Sequence, residues 1–300
     1  MAFSVNTNAG AMAALQSLNK TNNSMNTVQS RINTGLNVAG TADDSAKYTV
    51  AQNLRGDLGK LSAVTSSLNN AKSVTDVAVA GAEQISDILN QMKSKTQEAA
   101  DAGLDQDSRA AIAKDLTALK KQIGTIIDGS EFNGTNVLKK GGGNISALQS
   151  FQDSDSTTTG YQTDSLSVTN LALDEDTAAG GFFVAVGAAG TPGGLGAKTA
   201  DITLATAADA GALMESVDAL AKGLDTKISD LGAASRKIDG QLAFTSKLSD
   251  VVETGIGNLV DADLAKESAK LQALQVQQQL GVQALSIANQ APQTILSLFR

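Results

Sequence analysis

The chain contains no cysteine, no histidine and no tryptophan, and aromatic residues make up only 3% of its 300 positions. Without imidazole or thiol there is no Ser-His-Asp or Cys-His nucleophile and no His/Cys zinc site. No side chain has an unperturbed pKa between about pH 5 and 8. A cysteine-free chain suits passage in unfolded form through a narrow export channel, although this absence does not fix the compartment. Basic charge is also short: the net charge is −8 and the pI about 4.6. A nucleic-acid binder needs a basic stripe, so no nucleic-acid partner is expected. No run of about 20 apolar residues exists, so no membrane insertion is expected. The first thirty residues lack the basic start and apolar run of a secretory signal. Their first charge is Lys20, and Asn6, Thr7, Asn8, Gln16 and Ser17 interrupt the apolar positions.

Apolar residues reach 42%. With so few rings, the core must be built from Leu, Val, Ile and Ala, the composition of long helices packed side by side. The length suggests about two domains. Seven-residue spacings support the helices. Val64, Ala71, Ala78, Ile85 and Met92 form one row, with Leu68, Ala82 and Leu89 beside it. A 4-3-4-3 seam follows at Ile112, Leu116, Leu119, Ile123 and Ile126, opened by Asp105 or Asp107 as cap and closed at Asp128-Gly129 by a left-handed glycine. The spacing returns at Val217, Leu224, Leu231 and Ile238. Such rows signal coiled-coil packing, and two early helices meet a late one only if the chain goes out and comes back.

The two ends share a character. Residues 1–19 and 271–299 carry no charge, and the second stretch is rich in glutamine. A free surface helix normally shows a charged face. These ends read as helices that are solvated alone and buried on assembly; the competing reading is a polar low-complexity tail. Leu18, Met25, Val28 and Ile32 stripe the first. In the last, Leu274, Leu285 and Leu296 are eleven apart, as are Val260, Leu271 and Val282, a spacing of nearly straight helices, with Pro292 interrupting the final turns.

Between the arms, about 141–210 changes texture. It opens on Gly141-Gly142-Gly143, holds the run Ser156-Thr157-Thr158-Thr159, and has Phe182, Phe183, Val184 and Val186 after Gly180-Gly181. Ile202-Thr203-Leu204 alternates like a strand. Eight acids (Asp153, Asp155, Asp164, Asp174, Glu175, Asp176, Asp201, Asp209) face one base, Lys198. A small β-rich, outward-facing domain is expected, dispensable for assembly; a disordered linker is the alternative.

Three motifs invite chemistry. Residues 190–199 suggest a phosphate loop, but Ala197 stands where the glycine before the lysine is required. Asp153, Asp155 and Thr157 have the odd-position oxygens of a calcium loop, without its sixth-position glycine or twelfth-position glutamate. Asp43-Asp44 read better as the cap of a helix running toward Leu54 than as an acid/base pair. No catalytic residue, cofactor or metal is expected, and the chain is not expected to be an enzyme.

Ser4-Val5-Asn6-Thr7-Asn8, Ala14-Leu15, Ser30-Arg31-Ile32-Asn33-Thr34-Gly35-Leu36, Ala42-Asp43-Asp44-Ser45-Ala46 and Phe132-Asn133-Gly134 then Val137-Leu138 resemble the N-terminal region of bacterial flagellins. The close is similar too: Ala288-Asn289-Gln290-Ala291-Pro292-Gln293, then Ile295-Leu296-Ser297-Leu298 and Arg300. The resemblance covers about 1–140 and 210–300. It implies a mainly α fold of long antiparallel coiled-coil helices from both chain ends, with a β-hairpin near Phe132–Leu138 and a small β-rich central insert. The layers expected are an inner one of 1–44 and 256–300, a bundle of 45–140 and 211–255, and a variable outer domain of 141–210. Asn37 departs from the family, where arginine is common.

The function implied is a self-assembling subunit of the extracellular flagellar filament, exported without a cleaved signal peptide and used for motility. The alternatives are a hook–filament junction protein and a non-flagellar surface adhesin. Self-assembly is expected through Leu15, Leu18, Met25, Val28, Ile32, Val260, Leu264, Leu271, Leu274, Val282, Leu285 and Leu296. The partners implied are further copies of the chain, the flagellar export apparatus, an export chaperone, and the filament cap and hook-junction proteins. O-glycans are possible on 154–169. Many flagellins also bind a Toll-like innate receptor through a Leu-Gln-Arg-x-Arg-Glu-Leu stretch. The matching stretch here is degenerate: Leu89 and the charge of Lys93 survive, while Gln91, Ser94 and Lys95 replace Arg, Glu and Leu.

Overall fold

The computed structural model describes residues 8–152, 162–175, 181–187 and 193–298. Among the described residues five helices and a two-stranded sheet follow one another: α1 (Ala9–Thr34), α2 (Ser45–Ala99), α3 (Gln106–Gly129), β1 (Ile145–Gln152), β2 (Gln162–Val168), α4 (Ala207–Val260) and α5 (Leu264–Leu298). The fold is mainly α with a small β insert, as the spacing and the resemblance imply. The chain divides into two compact units, one of residues 1–58 with 249–300, the other of 59–248.

In the larger unit the seven-residue rows are the core. Val64, Leu68, Ala71, Ala78, Ala82, Ile85, Leu89 and Met92 of α2 are buried with Ile112, Leu116 and Ile123 of α3 and Val217, Leu224, Leu231 and Ile238 of α4. Asp105 caps α3, its carboxylate accepting from the Ser108 amide at 3.1 Å. At the other end Gly129 does not take the expected left-handed turn. The helix closes at Ser130, whose φ is −80°. Ser130 then comes so near α2 that a Cβ on Gly81 would lie 2.3 Å from its Oγ and 3.0 Å from Leu138 Cδ1. Gly81→Ala is therefore expected to destabilise this unit by about 1–3 kcal/mol, read as a lower thermal midpoint.

The turn after α3 is smaller than the hairpin the resemblance implies. Phe132 and Thr135 exchange both backbone hydrogen bonds at 3.0 Å around Asn133 and Gly134, which have φ of 50° and 80°. The pairing stops at that one bridge. Asn136 then turns the chain back. Its amide nitrogen donates to the Ile127 carbonyl at 2.6 Å, and its oxygen accepts from the Leu138 and Lys139 amides. The hairpin with real strands is β1–β2, antiparallel from Ile145↔Val168 to Gln152↔Gln162, with a bulge between Leu148 and Ser150. Ile145, Ala147, Leu166 and Val168 point inward while Ser146, Ser165 and Ser167 are exposed, the period-two pattern of a half-buried strand.

This segment shares the helices' core. Leu173, Phe182, Phe183, Leu195, Ile202 and Leu204 join the same buried cluster as the helical rows. Ile202-Thr203-Leu204 alternates as expected but pairs with no strand among the described residues. Instead the Ile202 amide donates to Thr117 Oγ1 at 3.0 Å, and Gln106 Nε2 to the Leu204 carbonyl at 3.4 Å. Removing 141–210 would uncover α2, α3 and α4, so its dispensability is no longer expected.

Ion pairs link α2 to α4: Lys72 with Asp239 at 2.8 Å, and Lys93 with Asp218, which also takes Lys222 at 2.7 Å. The lysines beside Asp218, Lys222 first and Lys93 second, lower its pKa from 3.8 to about 2. A carboxylate whose pKa falls on folding contributes stability above its unfolded value, and this is lost as pH drops through the folded one. Thermal melts should therefore show a loss between about pH 4 and 2 that Asp218→Asn makes shallower.

The smaller unit has its own cluster, Val38, Ala51, Ile256 and Val260, with Leu36, Tyr48, Leu54 and Leu259 packed against it. Gly35 ends α1 in the left-handed conformation, φ 72°, its amide donating to the Arg31 carbonyl at 2.9 Å. The chain then crosses the α4–α5 junction. The Asn37 and Val38 amides donate to the Val260 carbonyl, and the Ala262 amide to that of Gly35. Of the two aspartates before α2, Asp44 is the cap, accepting from the Lys47 amide. Asp43 closes the loop by accepting from the Ala39 and Gly40 amides. Helix α5 continues past Pro292 to Leu298.

Candidate assembly surface

Helices α1 and α5 pair antiparallel. Among the half-buried and buried positions of α1, Ala11, Ala14, Leu18, Thr21, Met25, Val28 and Ile32 form one series, with Asn22, Ser24 and Arg31 beside it; those of α5 are Glu267, Leu271, Leu274, Gln278, Gly281, Leu285 and Ala288. Both series step by alternate threes and fours, the heptad seam of a coiled coil. The eleven-residue rows do not each lie on one face: Leu271 is in the seam whereas Val282 is exposed.

Polar contacts run along this seam. Arg31 Nη1 donates to Glu267 Oε1 at 3.4 Å, Gln278 Nε2 to Asn22 Oδ1 at 2.9 Å, and Asn8 Nδ2 to the Ala288 carbonyl at 2.7 Å. Asn8 also caps α1, its Oδ1 accepting from the Ala11 amide. In the middle Leu18 lies over Gly281, where an added Cβ would sit 3.9 Å from the Leu18 Cβ.

The residues expected to drive assembly thus separate into groups. Leu18, Met25, Val28, Ile32, Leu271, Leu274 and Leu285 serve the seam inside one chain. Val260 is buried with Val38. Leu15, Leu264 and Val282 are exposed. The side chain of Leu296 lies outside the described residues. Residues missed in the sequence complete the exposed set: Met12, Val276, Leu280 and Ile287, with Ile287 69% exposed. At 100° per residue, Val276, Leu280 and Ile287 fall on the side of α5 opposite the seam. Large apolar side chains along a face without charge are the mark of a surface awaiting a partner.

The other motifs resolve differently. Within the described part of the glycine-rich loop the amides already have partners. Gly194 donates to the Ala185 carbonyl, Leu195 to Phe182, Gly196 to Val184 and Gly193 to Ser216 Oγ, so these amides do not form a phosphate cradle. Lys198 reaches back over Gly124 to Asp128 at 2.6 Å, its ammonium 5.8 Å from the Phe183 ring centre. Asp153, Asp155 and Thr157 of the calcium-like stretch, and 154–161 of the glycan stretch, lie outside the described residues. In the receptor-like stretch Leu89 is fully buried and Lys93 is engaged with Asp218. Gln91, Ser94 and Lys95 line a shallow groove with Asp115, which Lys95 meets at 3.3 Å.

Terminal helices that close on each other through a heptad seam, with a row of large apolar side chains left exposed on α5, define a structural, self-associating coiled-coil protein. The family model for the bacterial flagellin N-terminal helical region matches residues 5–141, and that for the C-terminal helical region matches 214–299. Flagellin FljM of Caulobacter vibrioides is 40% identical over 99% of this chain and 98% of its own length. Flagellin C of Rhizobium meliloti is 34% identical over 99% of each. The match to a crystal structure of Bacillus cereus flagellin covers 68% of this chain and 93% of that one, at 18% identity and a TM-score of 0.32. The chain belongs to the bacterial flagellin family: it is a filament subunit of an extracellular appendage, a structural protein and not an enzyme.

Proposed function

We propose that the chain polymerises by two separate uses of its terminal helices. Within a subunit, α1 and α5 close on each other through the heptad seam. Between subunits, the outer row Val276, Leu280 and Ile287, with Leu15, Leu264 and Val282, packs against neighbouring copies. The observation that carries this reading is the apolar, charge-free outer face of α5. Fully burying each large side chain is worth about 1.5–3 kcal/mol, so three per helix, each more than half exposed, offset much of the cost of ordering it.

In this reading 1–44 and 256–300 form the inner layer, 45–140 and 211–255 the bundle around it, and 141–210 the outer face. Export proceeds without a cleaved signal, through the flagellar export apparatus and its chaperone, and growth involves the cap and hook-junction proteins. O-glycans on 154–169 belong to the same reading, on the Ser- and Thr-rich part of that segment. Electron microscopy of purified protein tests the central claim. Long uniform filaments support it; short oligomers point to a junction protein, and no assembly to an adhesin.

The innate-receptor stretch yields a separate expectation. Gln91 lacks the bidentate charge of arginine, Ser94 the acceptor of glutamate, and Lys95 is already paired with Asp115. Endotoxin-free monomer should activate the Toll-like receptor at least tenfold more weakly than a flagellin with the full motif, since central contacts dominate such interfaces. Equal potency in a reporter-cell assay refutes this. Restoring Gln91→Arg, Ser94→Glu and Lys95→Leu together should raise it.

A further inference from the structure

The α1–α5 seam poses a problem of register. Its apolar members are Ala, Leu, Met, Val and Ile at heptad spacing on both helices, and a slip by one heptad would again set apolar rows face to face. Hydrophobic contact alone therefore distinguishes the registers weakly.

We propose that the Arg31–Glu267 pair, assisted by the Leu18–Gly281 notch, selects the register in which the two chain ends pair. Glu267 is a seam residue, only 8% exposed, and Arg31 Nη1 is 3.4 Å from its Oε1. Among the described residues, Arg31 Nε and Glu267 Oε2 have no hydrogen-bond partner. The two orphaned atoms belong to the same pair, so a side-on, two-bond arrangement of guanidinium and carboxylate would satisfy both at once. A heptad slip in one direction sets Glu267 against the level of Ser24, and in the other against Val38. Either slip leaves a buried carboxylate without its cation, the costly case for a charge in a seam.

The notch adds a steric term in the same sense. Leu18 fits over Gly281 because no Cβ stands there, and a slip brings Leu274 or Ala288 to that level. The Asn22–Gln278 and Asn8–Ala288 contacts lie in the same register at two further levels. A single polar position in a coiled-coil core is a known way to fix register. This inference concerns pairing inside one chain and holds whether or not the outer row docks on a neighbouring copy.

The absence of cysteine makes the test clean. Leu18→Cys with Gly281→Cys reports the observed register, because the Cβ separation of 3.9 Å suits a disulfide. Leu18→Cys with Leu274→Cys, or with Ala288→Cys, reports the two slipped ones. Each full-length pair is oxidised in a thiol redox buffer and the bond quantified by peptide mass spectrometry. In the parent sequence the 18–281 bond should dominate. With Arg31→Glu added, the ratio of 18–281 to slipped bonds should fall about tenfold. Arg31→Glu combined with Glu267→Arg should restore it. An unchanged ratio in the single variant, or no recovery in the exchanged pair, overturns the proposal. So does an equal fall of all three bonds, because the pair would then supply stability and not register.

Discussion

A chain cut after Lys270 is expected to form no filaments under conditions where the full chain forms them. The cut removes Leu271, Leu274, Gln278, Gly281, Leu285 and Ala288, which face α1, and Val276, Leu280 and Ile287, which face outward. Both proposed uses of α5 go at once, and α1 is left with its seam residues in water. The unit of 59–248 keeps its own buried cluster, so its thermal midpoint should move by no more than about 2 °C, the shift of less than 1 kcal/mol in a domain of this size. Electron microscopy and a melting curve on the same preparation give both readings. Normal filaments from the truncated chain would show that the terminal helix is not the assembly surface. A collapsed melting curve would show that it supports the rest of the fold.

The second large effect is expected at Lys120, which carries charge into the core. Its side chain is fully buried, and its ammonium donates to the carbonyls of Leu195 at 3.4 Å, Ala197 at 3.0 Å and Ala200. Among the described residues no carboxylate bonds to it. Burial pushes its pKa below the ordinary lysine value, with Asp201 pulling partly back. The ammonium thus fastens the loop of 195–200 to α3 by backbone contacts alone. Lys120→Met keeps most of the volume, removes three hydrogen bonds from a charged donor and strands the buried Leu195 carbonyl. A total near 2–4 kcal/mol is expected, or about 10 °C in the thermal midpoint. Neighbouring Lys121 is the control. Its pair with Asp201 at 3.2 Å is exposed on both sides, so Lys121→Met should cost less than about 1 kcal/mol. Equal effects at the two lysines would mean that the carbonyl contacts carry no weight.

Lys120 also shows where sequence reading stopped. Rows such as Val64–Met92 and Val217–Ile238 were legible because apolar residues at sevens have one economical arrangement, burial on a shared axis. Lys120, Arg109, Asn136 and Asn170 follow no such period, and their charge or polarity suggests solvent. Yet Arg109 is buried, donating to the carbonyls of Ala99, Asp101 and Leu104 and so closing the end of α2. The Asn170 amide reaches the carbonyls of Asn136, Lys139 and Gly143 and gathers the turns before β1. Such roles depend on which carbonyls the tertiary fold leaves unpaired, and the linear chain does not show this.

The seam of α5 was half legible for a related reason. A search for large apolar residues finds Leu271, Leu274 and Leu285 but passes over Glu267, Gln278, Gly281 and Ala288. Counted by position, Glu267, Leu274, Gly281 and Ala288 stand at sevens, as do Leu271, Gln278 and Leu285. The signal was present in spacing and hidden by side-chain type. The exposed row was hidden in the opposite way, since nothing in the type of Val276, Leu280 and Ile287 tells an exposed apolar residue from a buried one.

Helix α5 therefore answers to two different readers. A change in the seam must be matched within the same chain, on α1, and no other copy need know of it. A change on the outer row must be matched by whichever molecule lies next to it. Variation on the first face is private to a gene, while variation on the second is shared among all chains that mix. Two related subunits that differ along Leu271–Leu285 yet agree at Val276, Leu280 and Ile287 should accordingly be interchangeable bricks in one fibre. Two that agree in the seam and differ on the outer row should sort into separate fibres, even when made in the same cell.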